Sequence, residues 1–327
     1  MDLYMNLKNI LGFCLSFSLI SSSLCGAISF RNGKIVDADT IAEFDVEEHY
    51  ELGMNAYRSK NWEEAIKQFR IVTENYPNTS QAREGYFRLG AAYYYESEFE
   101  EANTAFSNYI TCQSHPPFFE EAMVYKLAIA NAFTLGARRH VLGYRQLPKW
   151  FLGNELAEQI YDEISSTMPS HNLAAQALFS KGSFHWRNKE YRESVDAYQL
   201  LIKRFPKHPL SAHAYSQISK IYAEQSVKEF QNPDFIALSE LNYKKFQNDF
   251  PGDHRLAETA MEVLSIKENY AKGLYDTGIF FEKTNKMNAA VLYYRNAIQQ
   301  FPETKIADKC RKRLSALGCQ INSEVST

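Results

Sequence analysis

The stretch "ENYPNTSQA", residues 74–82, decides the fold, because the chain repeats its pattern three more times. The later copies are "KRFPKHPLSA" (203–212), "NDFPGDHRLA" (248–257) and "QQFPETKIA" (299–307). Each copy has an aromatic residue, a proline, a short polar run and a helical restart. Proline cannot continue a helical hydrogen-bond ladder, and it restricts the residue before it. The pattern therefore predicts a repeated signal that ends one helix and caps the next.

Small residues recur at fixed distances from these prolines. Ala65 lies twelve residues after Gly53 and twelve before Pro77. Two further copies have the same spacing: Gly182, Ser194 and Pro206, and Gly278, Ala290 and Pro302. The spacing predicts an antiparallel helix pair, Val46–Ser59 and Trp62–Glu74, whose backbones approach each other at the small residues. Phe69 would fill the space beside them.

These residue types at this spacing match the tetratricopeptide repeat (TPR). A single such hairpin cannot bury its apolar face, so neighbouring hairpins must stack. The sequence of 327 residues thus predicts an all-α solenoid of about six helical hairpins over roughly residues 42–317. Two hairpins are stretched, one by residues 136–154 and one at "VKEFQNPD" (227–234). Residues 254–282 read as one long helix.

The predicted organisation has five parts. Residues 1–27 form an export signal and 28–45 an N-terminal linker. Residues 46–170 hold the N-terminal repeats, 171–317 the C-terminal repeats, and 318–327 a tail. No segment after residue 27 is apolar enough to span a bilayer.

The export signal consists of Lys8 followed by the apolar run "NILGFCLSFSLISSSLCGA", residues 9–27. Two processing routes remain open. Ordinary cleavage would use Cys25 and Ala27 as small residues, whereas lipoprotein processing would make Cys25 a lipidated N-terminus. Either route places the protein in the periplasm, and the second would anchor it to the inner face of the outer membrane.

Composition limits the classes of function. The net charge of −3 gives no reason to expect a nucleic-acid partner. Five cysteines are too few for a disulfide scaffold, although Cys310 and Cys319 could bridge in an oxidising compartment or remain free thiols. The chain has no HExxH, GxSxG, P-loop or CxxC motif. We therefore expect no enzymatic activity, cofactor or metal.

Aromatic residues on the first helix of each hairpin are candidates for binding a protein partner. In a curved helical array these helices line a concave surface, and large rigid rings bind at low entropic cost. The alternative is that the rings only pack between neighbouring repeats. The candidates, one arginine included, are Tyr50, Tyr57, Phe87, Tyr94, Tyr95, Tyr125, Phe179, Trp186 and Arg187.

The insertion 136–154 offers a second candidate surface. Its basic residues, Arg138, Arg139, Arg145 and Lys149, come without intervening acids and are interleaved with Tyr144, Trp150 and Phe151. Such a loop would suit a protein interface or anionic lipid headgroups. Alternatively, the loop folds back over the repeats and buries its aromatic side chains.

An exported TPR chain with these "YP/FP" turns resembles the BamD family of periplasmic lipoproteins. The likeness is best from about residue 175 to residue 317, which holds the stretched repeat, the long helix and the closing aromatic-proline turn. The resemblance implies a non-catalytic scaffold of the machinery that inserts β-barrel proteins into the bacterial outer membrane. It also implies partners: the POTRA domains of the barrel insertase, and unfolded outer-membrane protein clients or accessory lipoproteins.

Two other functions stay open on the sequence. One is a TPR adaptor that coordinates cell-envelope or peptidoglycan assembly, although no sustained heptads precede Val46. The other is an enzyme with its site in residues 136–154, which would need convergent titratable groups near a pocket.

Overall fold

The computed structural model describes residues 28–31, 34–37, 40–143, 145, 147–228 and 232–319. The chain divides into two compact units, Met1–Ile164 and Ser165–Thr327. The elements of the first unit are β1 (Ile28–Arg31), β2 (Lys34–Asp37), α1 (Val46–Arg58), α2 (Trp62–Asn75), α3 (Ser80–Tyr95), α4 (Phe99–Thr111), α5 (Phe119–Thr134), β3 (Arg138–His140), β4 (Lys149–Leu152) and α6 (Asn154–Thr167), whose last turn lies in the second unit. The second unit contains α7 (Asn172–Arg187), α8 (Tyr191–Arg204), α9 (Pro209–Lys228), α10 (Asp234–Asp249), α11 (Arg255–Lys283), α12 (Met287–Gln300) and α13 (Lys305–Ala316).

The all-α class and the repeat architecture are confirmed. The helices of the first hairpin, α1 and α2, lie within one residue of the predicted bounds. The predicted long helix is α11, with 29 residues. Two small antiparallel hairpins add to this plan. One pairs β1 with β2 inside the predicted linker, and the other pairs β3 with β4 inside the predicted insertion.

A glycine and an aromatic ring hold each regular hairpin together. The ring lies sixteen residues after the glycine, on the second helix, and presses against the glycine backbone. A Cβ atom at any of these glycines would lie 2.5–2.9 Å from a ring carbon. The four pairs are Gly53–Phe69, Gly90–Phe106, Gly182–Tyr198 and Gly278–Tyr294. Their rings are fully buried, so this contact is the centre of each hairpin.

The turn inside each of these hairpins uses a left-handed residue. Lys60, Ser97, Lys189 and Asn285 have φ between 57° and 66°. Each lies seven residues after the glycine of its hairpin. In the first turn, the N–H of Lys60 donates to the carbonyl of Tyr57, and that of Asn61 donates to the carbonyl of Ala56. This pattern satisfies the last carbonyls of the helix and reverses the chain.

The aromatic-proline turns cap the next helix, as the sequence predicts. The residue two positions after the proline accepts a hydrogen bond from a helical N–H with its side chain. Thr79 accepts from Ala82 at 3.1 Å, and Thr304 accepts from Ala307 at 3.1 Å. His208 and Asp253 do the same after Pro206 and Pro251, and His171 does so after Pro169, which follows Met168 instead of an aromatic residue. The aromatic residue before the proline packs at the joint. Tyr76, for example, donates its hydroxyl to the carbonyl of Phe44 at 2.8 Å.

Within the described residues, no helix combines the length and apolar character that crossing a bilayer requires. The predicted export signal, including Cys25, and most of the predicted tail lie outside the described residues. Cys112, Cys310 and Cys319 are free thiols in the structure, so of the two alternatives for Cys310 and Cys319 the unbridged one is observed.

Candidate functional site

Five tyrosines on the first helices of the three N-terminal hairpins form one surface, here called the tyrosine face. Helix α3 contacts both α1 and α5, which brings the three helices side by side. The face consists of Tyr50 and Tyr57 on α1, Tyr94 and Tyr95 on α3, and Tyr125 on α5. All five side chains keep some exposure to solvent, and Tyr95 is 51% exposed. All five were predicted from the sequence as candidates for binding a partner.

Ring contacts run continuously across the tyrosine face. Trp62, at the start of α2, packs edge-on against Tyr57 at 5.3 Å and stacks on Tyr95 at 4.6 Å between ring centroids. Tyr94 then meets Tyr125 at 5.1 Å. The hydroxyl oxygens of Tyr95 and Tyr125 are 3.5 Å apart. Because each ring is braced by the next, the surface is ordered before any partner binds, which lowers the entropic cost of binding.

Arg88 supplies positive charge at this surface. Its guanidinium carbon lies 5.6 Å from the ring centroid of Tyr57 and 5.4 Å from that of Phe118. Its Nη2 atom donates to Glu84 at 2.9 Å. Burial is the largest single effect on the pKa of Arg88 and lowers it, but the hydrogen bond and the charge of Glu84, together with the nearby tyrosines, raise the pKa overall. Burial and then the charge of Glu84 raise the pKa of Tyr50 to about 12, so this phenol remains a hydrogen-bond donor.

Of the predicted aromatic residues in the first unit, the five tyrosines lie on the face and Phe87 lies beneath it. Phe87 is only 6% exposed and packs against Phe106, Tyr109 and Phe118, so its place is in the core. Two residues that contact the tyrosine face, Arg88 and Trp62, were absent from the prediction. Arg88 is predictable from the sequence, because it is four residues after Glu84 and seven before Tyr95, a spacing that shares a helix face. Trp62 lies on the second helix of its hairpin, whereas the predicted candidates lie on first helices.

The three predicted residues of the second unit, Phe179, Trp186 and Arg187, each have a different environment. Phe179 is half-buried and packs against Tyr198 and His213. Arg187 is exposed at the end of α7. The indole Nε1 of Trp186 donates to Glu224 at 3.0 Å. Glu224 also accepts from Lys189 and from the hydroxyl of Tyr191, each at 2.8 Å. Trp186 is thereby held in a fixed position by a carboxylate of α9.

Glu224 predicts a specific pH dependence of stability. Hydrogen bonds from Lys189 and then Trp186 lower its pKa from 4.5 to about 2. A lowered folded-state pKa stabilises the fold above pH 4.5, and that contribution is lost as the pH falls towards 2. Because the carboxylate side chain is 31% exposed, we expect Glu224→Gln to cost only about 1 kcal/mol at pH 7.

Urea denaturation from pH 7 down to pH 3 tests this expectation. The difference between wild type and Glu224→Gln should narrow as the pH falls. Glu193→Gln, at an exposed position of α8, is the matched control and should follow the wild type at each pH. A difference that is constant with pH would contradict the role assigned to Glu224.

The insertion 136–154 is a β-hairpin and not the loop that the sequence predicts. Arg138 pairs with Leu152 and Arg139 with Phe151, and an irregularity follows before His140 pairs with Lys149. Neither strand alternates polar and apolar residues: β3 contains only basic residues and histidine, and β4 is a lysine followed by three apolar residues. The sequence therefore carries little signal for a β-strand here. Tyr144 lies outside the described residues.

Three of the four predicted basic residues of this hairpin face carboxylates at the corner between α3 and α4, while Arg138 donates to the carbonyl of Trp150. Lys149 donates to Glu98 at 2.8 Å and to the carbonyl of Ser97 at 2.8 Å. Arg139 forms an ion pair with Glu100, and Arg145 lies 3.7 Å from Glu98. The acids come from forty to fifty residues earlier in the chain, so the insertion alone looked more basic than it is. These contacts leave less positive charge for anionic headgroups than the sequence suggested.

Glu98 and Glu101 approach His140 beneath the hairpin, with their ligand-type atoms within 4.8 Å of one another. Glu98 accepts from His140 at 2.7 Å, and the other ring nitrogen of His140 bonds to the carbonyl of Leu147. Burial would raise the pKa of Glu98, but the bonds from Lys149 and His140 outweigh it and lower the pKa. Burial raises the pKa of Glu101. Because Lys149 and His140 already contact Glu98, we interpret the cluster as a structural contact that holds the β3–β4 hairpin against the start of α4.

The aromatic residues of the insertion are exposed. Trp150, Phe151 and Leu152 have 66%, 57% and 58% of their surface open to solvent. We call these three consecutive residues of β4 the apolar fin. The structure thus combines parts of the two alternatives: the basic residues fold back onto the helices, while the aromatic residues stand away from them.

Two family models match the chain. The family described as YfiO, outer membrane lipoprotein, matches residues 42–134, and a tetratricopeptide repeat model matches residues 170–209. The resemblance to the BamD type of lipoprotein is confirmed, but its family match lies in the N-terminal repeats. The sequence predicts the best likeness in residues 175–317, but there the matched model is a general repeat over residues 170–209. The YfiO segment includes the whole tyrosine face.

Comparison with individual proteins gives more distant likenesses. A TPR protein from Bacteroides fragilis is 12% identical over 84% of this chain and 99% of its own, with a TM-score of 0.41. MamA from Desulfovibrio magneticus is 14% identical over 65% and 99%, with a TM-score of 0.34. PilF from Pseudomonas aeruginosa is 12% identical over 71% and 98%, with a TM-score of 0.31. No curated protein matches the sequence significantly.

Proposed function

We propose that this chain, which resembles BamD-like lipoproteins and matches the outer membrane lipoprotein family over residues 42–134, is a non-catalytic scaffold of the machinery that inserts β-barrel proteins into the outer membrane. The observation that carries this proposal is the tyrosine face, a braced aromatic surface inside the segment that matches the lipoprotein family. We place the protein in the periplasm, held through Cys25 at the inner face of the outer membrane.

The tyrosine face suits an unfolded client. Tyrosine offers a large apolar ring and a polar hydroxyl, so it contacts side chains and extended backbone without demanding one sequence. A strand of a β-barrel alternates apolar and polar residues, and the face offers apolar rings together with polar groups, the tyrosine hydroxyls and the adjacent Arg88. Such a surface binds many related strands with moderate affinity, which a scaffold for several clients requires.

Removing two rings of the face, the half-buried Tyr57 and the exposed Tyr95, should weaken client binding. We expect Tyr57→Ala combined with Tyr95→Ala to reduce affinity for a client strand about tenfold or more, because central aromatic residues dominate such contacts. The measurement is fluorescence anisotropy with a labelled peptide from a transmembrane strand of an outer-membrane barrel. Phe280→Ala, at an exposed aromatic residue of the second unit, is the control and should leave affinity unchanged. Equal affinities for all three proteins would remove the face from the proposal.

The second partner is the periplasmic part of the barrel insertase. We propose that the C-terminal repeats, residues 171–317, bind its POTRA domains, while the N-terminal face meets clients or accessory lipoproteins. Affinity capture of the tagged full chain from detergent-solubilised envelope tests this. An insertase with POTRA domains should co-purify in near-equal amount. Its absence from the captured material would remove the assembly function, whatever the tyrosine face binds.

The proposed anchor has its own test. Metabolic labelling with a fatty acid should mark the wild-type protein and leave Cys25→Ala unlabelled. If the wild type takes up no label, the chain is exported without a lipid, and the scaffold must reach the membrane through other contacts.

A further inference from the structure

The apolar fin stands free on both faces of its strand. Successive side chains of a β-strand point to opposite faces, so a strand that packs on a protein buries every second residue. Trp150, Phe151 and Leu152 are consecutive, yet each is more than half exposed. Leu135, just before the hairpin, is 75% exposed as well. The hairpin therefore presents apolar side chains to solvent on both of its faces.

The base of the hairpin is fastened while its fin is open. Lys149 is bound to Glu98 and to the carbonyl of Ser97, and Arg139 is paired with Glu100. His140 is buried against Glu98. These contacts hold the strand rigidly at its start and compensate the positive charge there. A fixed, nearly neutral support leaves the three apolar side chains as the part of the hairpin offered to a partner.

From this geometry we propose that the apolar fin inserts its side chains into the interface of a lipid bilayer. Tryptophan favours the headgroup region, where its ring is buried and its N–H stays hydrated, and phenylalanine and leucine favour the adjacent acyl boundary. The hairpin has only two strands, so its outer edges carry unpaired backbone groups. Such groups cannot enter hydrocarbon without cost, and insertion is therefore shallow.

Charge distinguishes this mode from attraction to anionic headgroups. Because Arg139, Arg145 and Lys149 face carboxylates, Arg138 is the cation beside the fin, and anionic lipid should strengthen binding only modestly over a zwitterionic bilayer. Added salt should have little effect, since the driving force is the burial of apolar surface.

A membrane lies within reach if the proposed anchor holds, and on this point the inference rests on the proposed function. Val46, where α1 begins, follows Cys25 by 21 positions. An extended chain of that length spans at most about 75 Å. The first unit would then remain close to the bilayer, and a weakly inserting fin would act at a high local concentration. Insertion into added vesicles can be measured whether or not the anchor or the assembly role is correct.

The test uses the full chain with phosphatidylcholine vesicles that carry brominated acyl chains, which quench nearby tryptophan. The protein has three tryptophans, so Trp150→Phe removes one reporter and keeps the fin apolar. We expect wild-type fluorescence to be quenched on binding, and most of that quenching to be absent in Trp150→Phe. Trp62 and Trp186 remain as internal reporters. Quenching that is equal in the two proteins would overturn the proposal.

A second experiment replaces the three apolar side chains of the fin. The variant Trp150→Ser, Phe151→Ser, Leu152→Ser should bind the same vesicles about tenfold or more weakly in a flotation assay. Phe280→Ser with Leu292→Ser removes exposed apolar residues of the second unit and is the matched control. The N-terminal apolar segment is common to all variants, so the difference between them reports the fin.

Two outcomes would overturn the proposal and point elsewhere. If binding needs anionic lipid and disappears in salt, the contact is electrostatic and the fin is not inserted. If the fin variant binds vesicles like the wild type but loses an envelope protein in affinity capture, the fin is a protein interface. Circular dichroism of the fin variant, expected to match the wild type because the three side chains are exposed, excludes unfolding as the cause.

Discussion

Replacing Gly278 with valine should lower the free energy of unfolding by about 2–3 kcal/mol. A Cβ atom at this position would lie 2.5 Å from Cε1 of Tyr294 and 3.0 Å from its Cζ. The ring cannot easily move aside, because it is fully buried and its hydroxyl donates to Glu282 at 2.9 Å. Glu282 is itself held by Arg313 of α13. The extra side chain must therefore separate α11 from α12.

Urea denaturation followed by circular dichroism measures this loss. Gly252→Val is the matched control, because no atom lies within 4 Å of a Cβ placed there, and its midpoint should stay near that of the wild type. The double variant Gly278→Val, Tyr294→Leu should cost less than the two single changes added together, since a smaller side chain makes room for valine. If Gly278→Val unfolds like the wild type, the close contact does not hold this hairpin together.

Removing the ring of Phe106 should have a larger effect, about 3–5 kcal/mol. Phe106 is fully buried and packs on Gly90, where a Cβ atom would lie 2.9 Å from the ring. It stacks on Tyr125 at 5.0 Å and meets Phe87 edge-on at 5.8 Å between centroids. Phe106→Ala thus opens a cavity beneath the tyrosine face and removes the support of Tyr125. We expect the same variant to lose affinity for client strands.

Two measurements separate these effects. The denaturation midpoint of Phe106→Ala should fall well below that of Phe280→Ala, whose ring is 60% exposed and whose removal should cost less than about 0.5 kcal/mol. Hydrogen exchange should show the loss of protection concentrated in α3, α4 and α5. Equal midpoints for the two alanine variants would show that the ring of Phe106 contributes little to the stability of its hairpin.

Much of the fold could be predicted from the sequence, because TPR hairpins are built from local signals. The proline turns end and cap helices within a few residues, and glycine and its aromatic partner lie only sixteen residues apart. The regular turn at Lys60, Ser97, Lys189 and Asn285 follows from the same spacing. In the third hairpin the chain leaves α5 with Gly136 at φ 106° and forms β3 instead of a helix. No short motif announces this departure.

The candidate site was less predictable, because it depends on contacts between elements far apart in sequence. Helical periodicity identified the five tyrosines, but it also selected Phe87, which the neighbouring ring of Phe118 covers by stacking at 4.9 Å. Periodicity assigns a residue to a face of its own helix, and only the packing of adjacent hairpins decides which part of that face stays open. Trp62 belongs to the surface for the same reason, since it reaches Tyr95 from another hairpin.

The sequence by itself determined the class of protein, the positions of the hairpins and the residues at their centres. These features rest on hydrogen-bond capping, proline geometry and small-to-large packing, which act over short distances along the chain. Only the tertiary structure decided how charge and apolar surface are presented in residues 136–154. Glu98 and Glu100 neutralise basic residues some forty to fifty positions later, while Trp150, Phe151 and Leu152 remain exposed. Electrostatic pairing and burial depend on distance in space, which the order of residues does not specify.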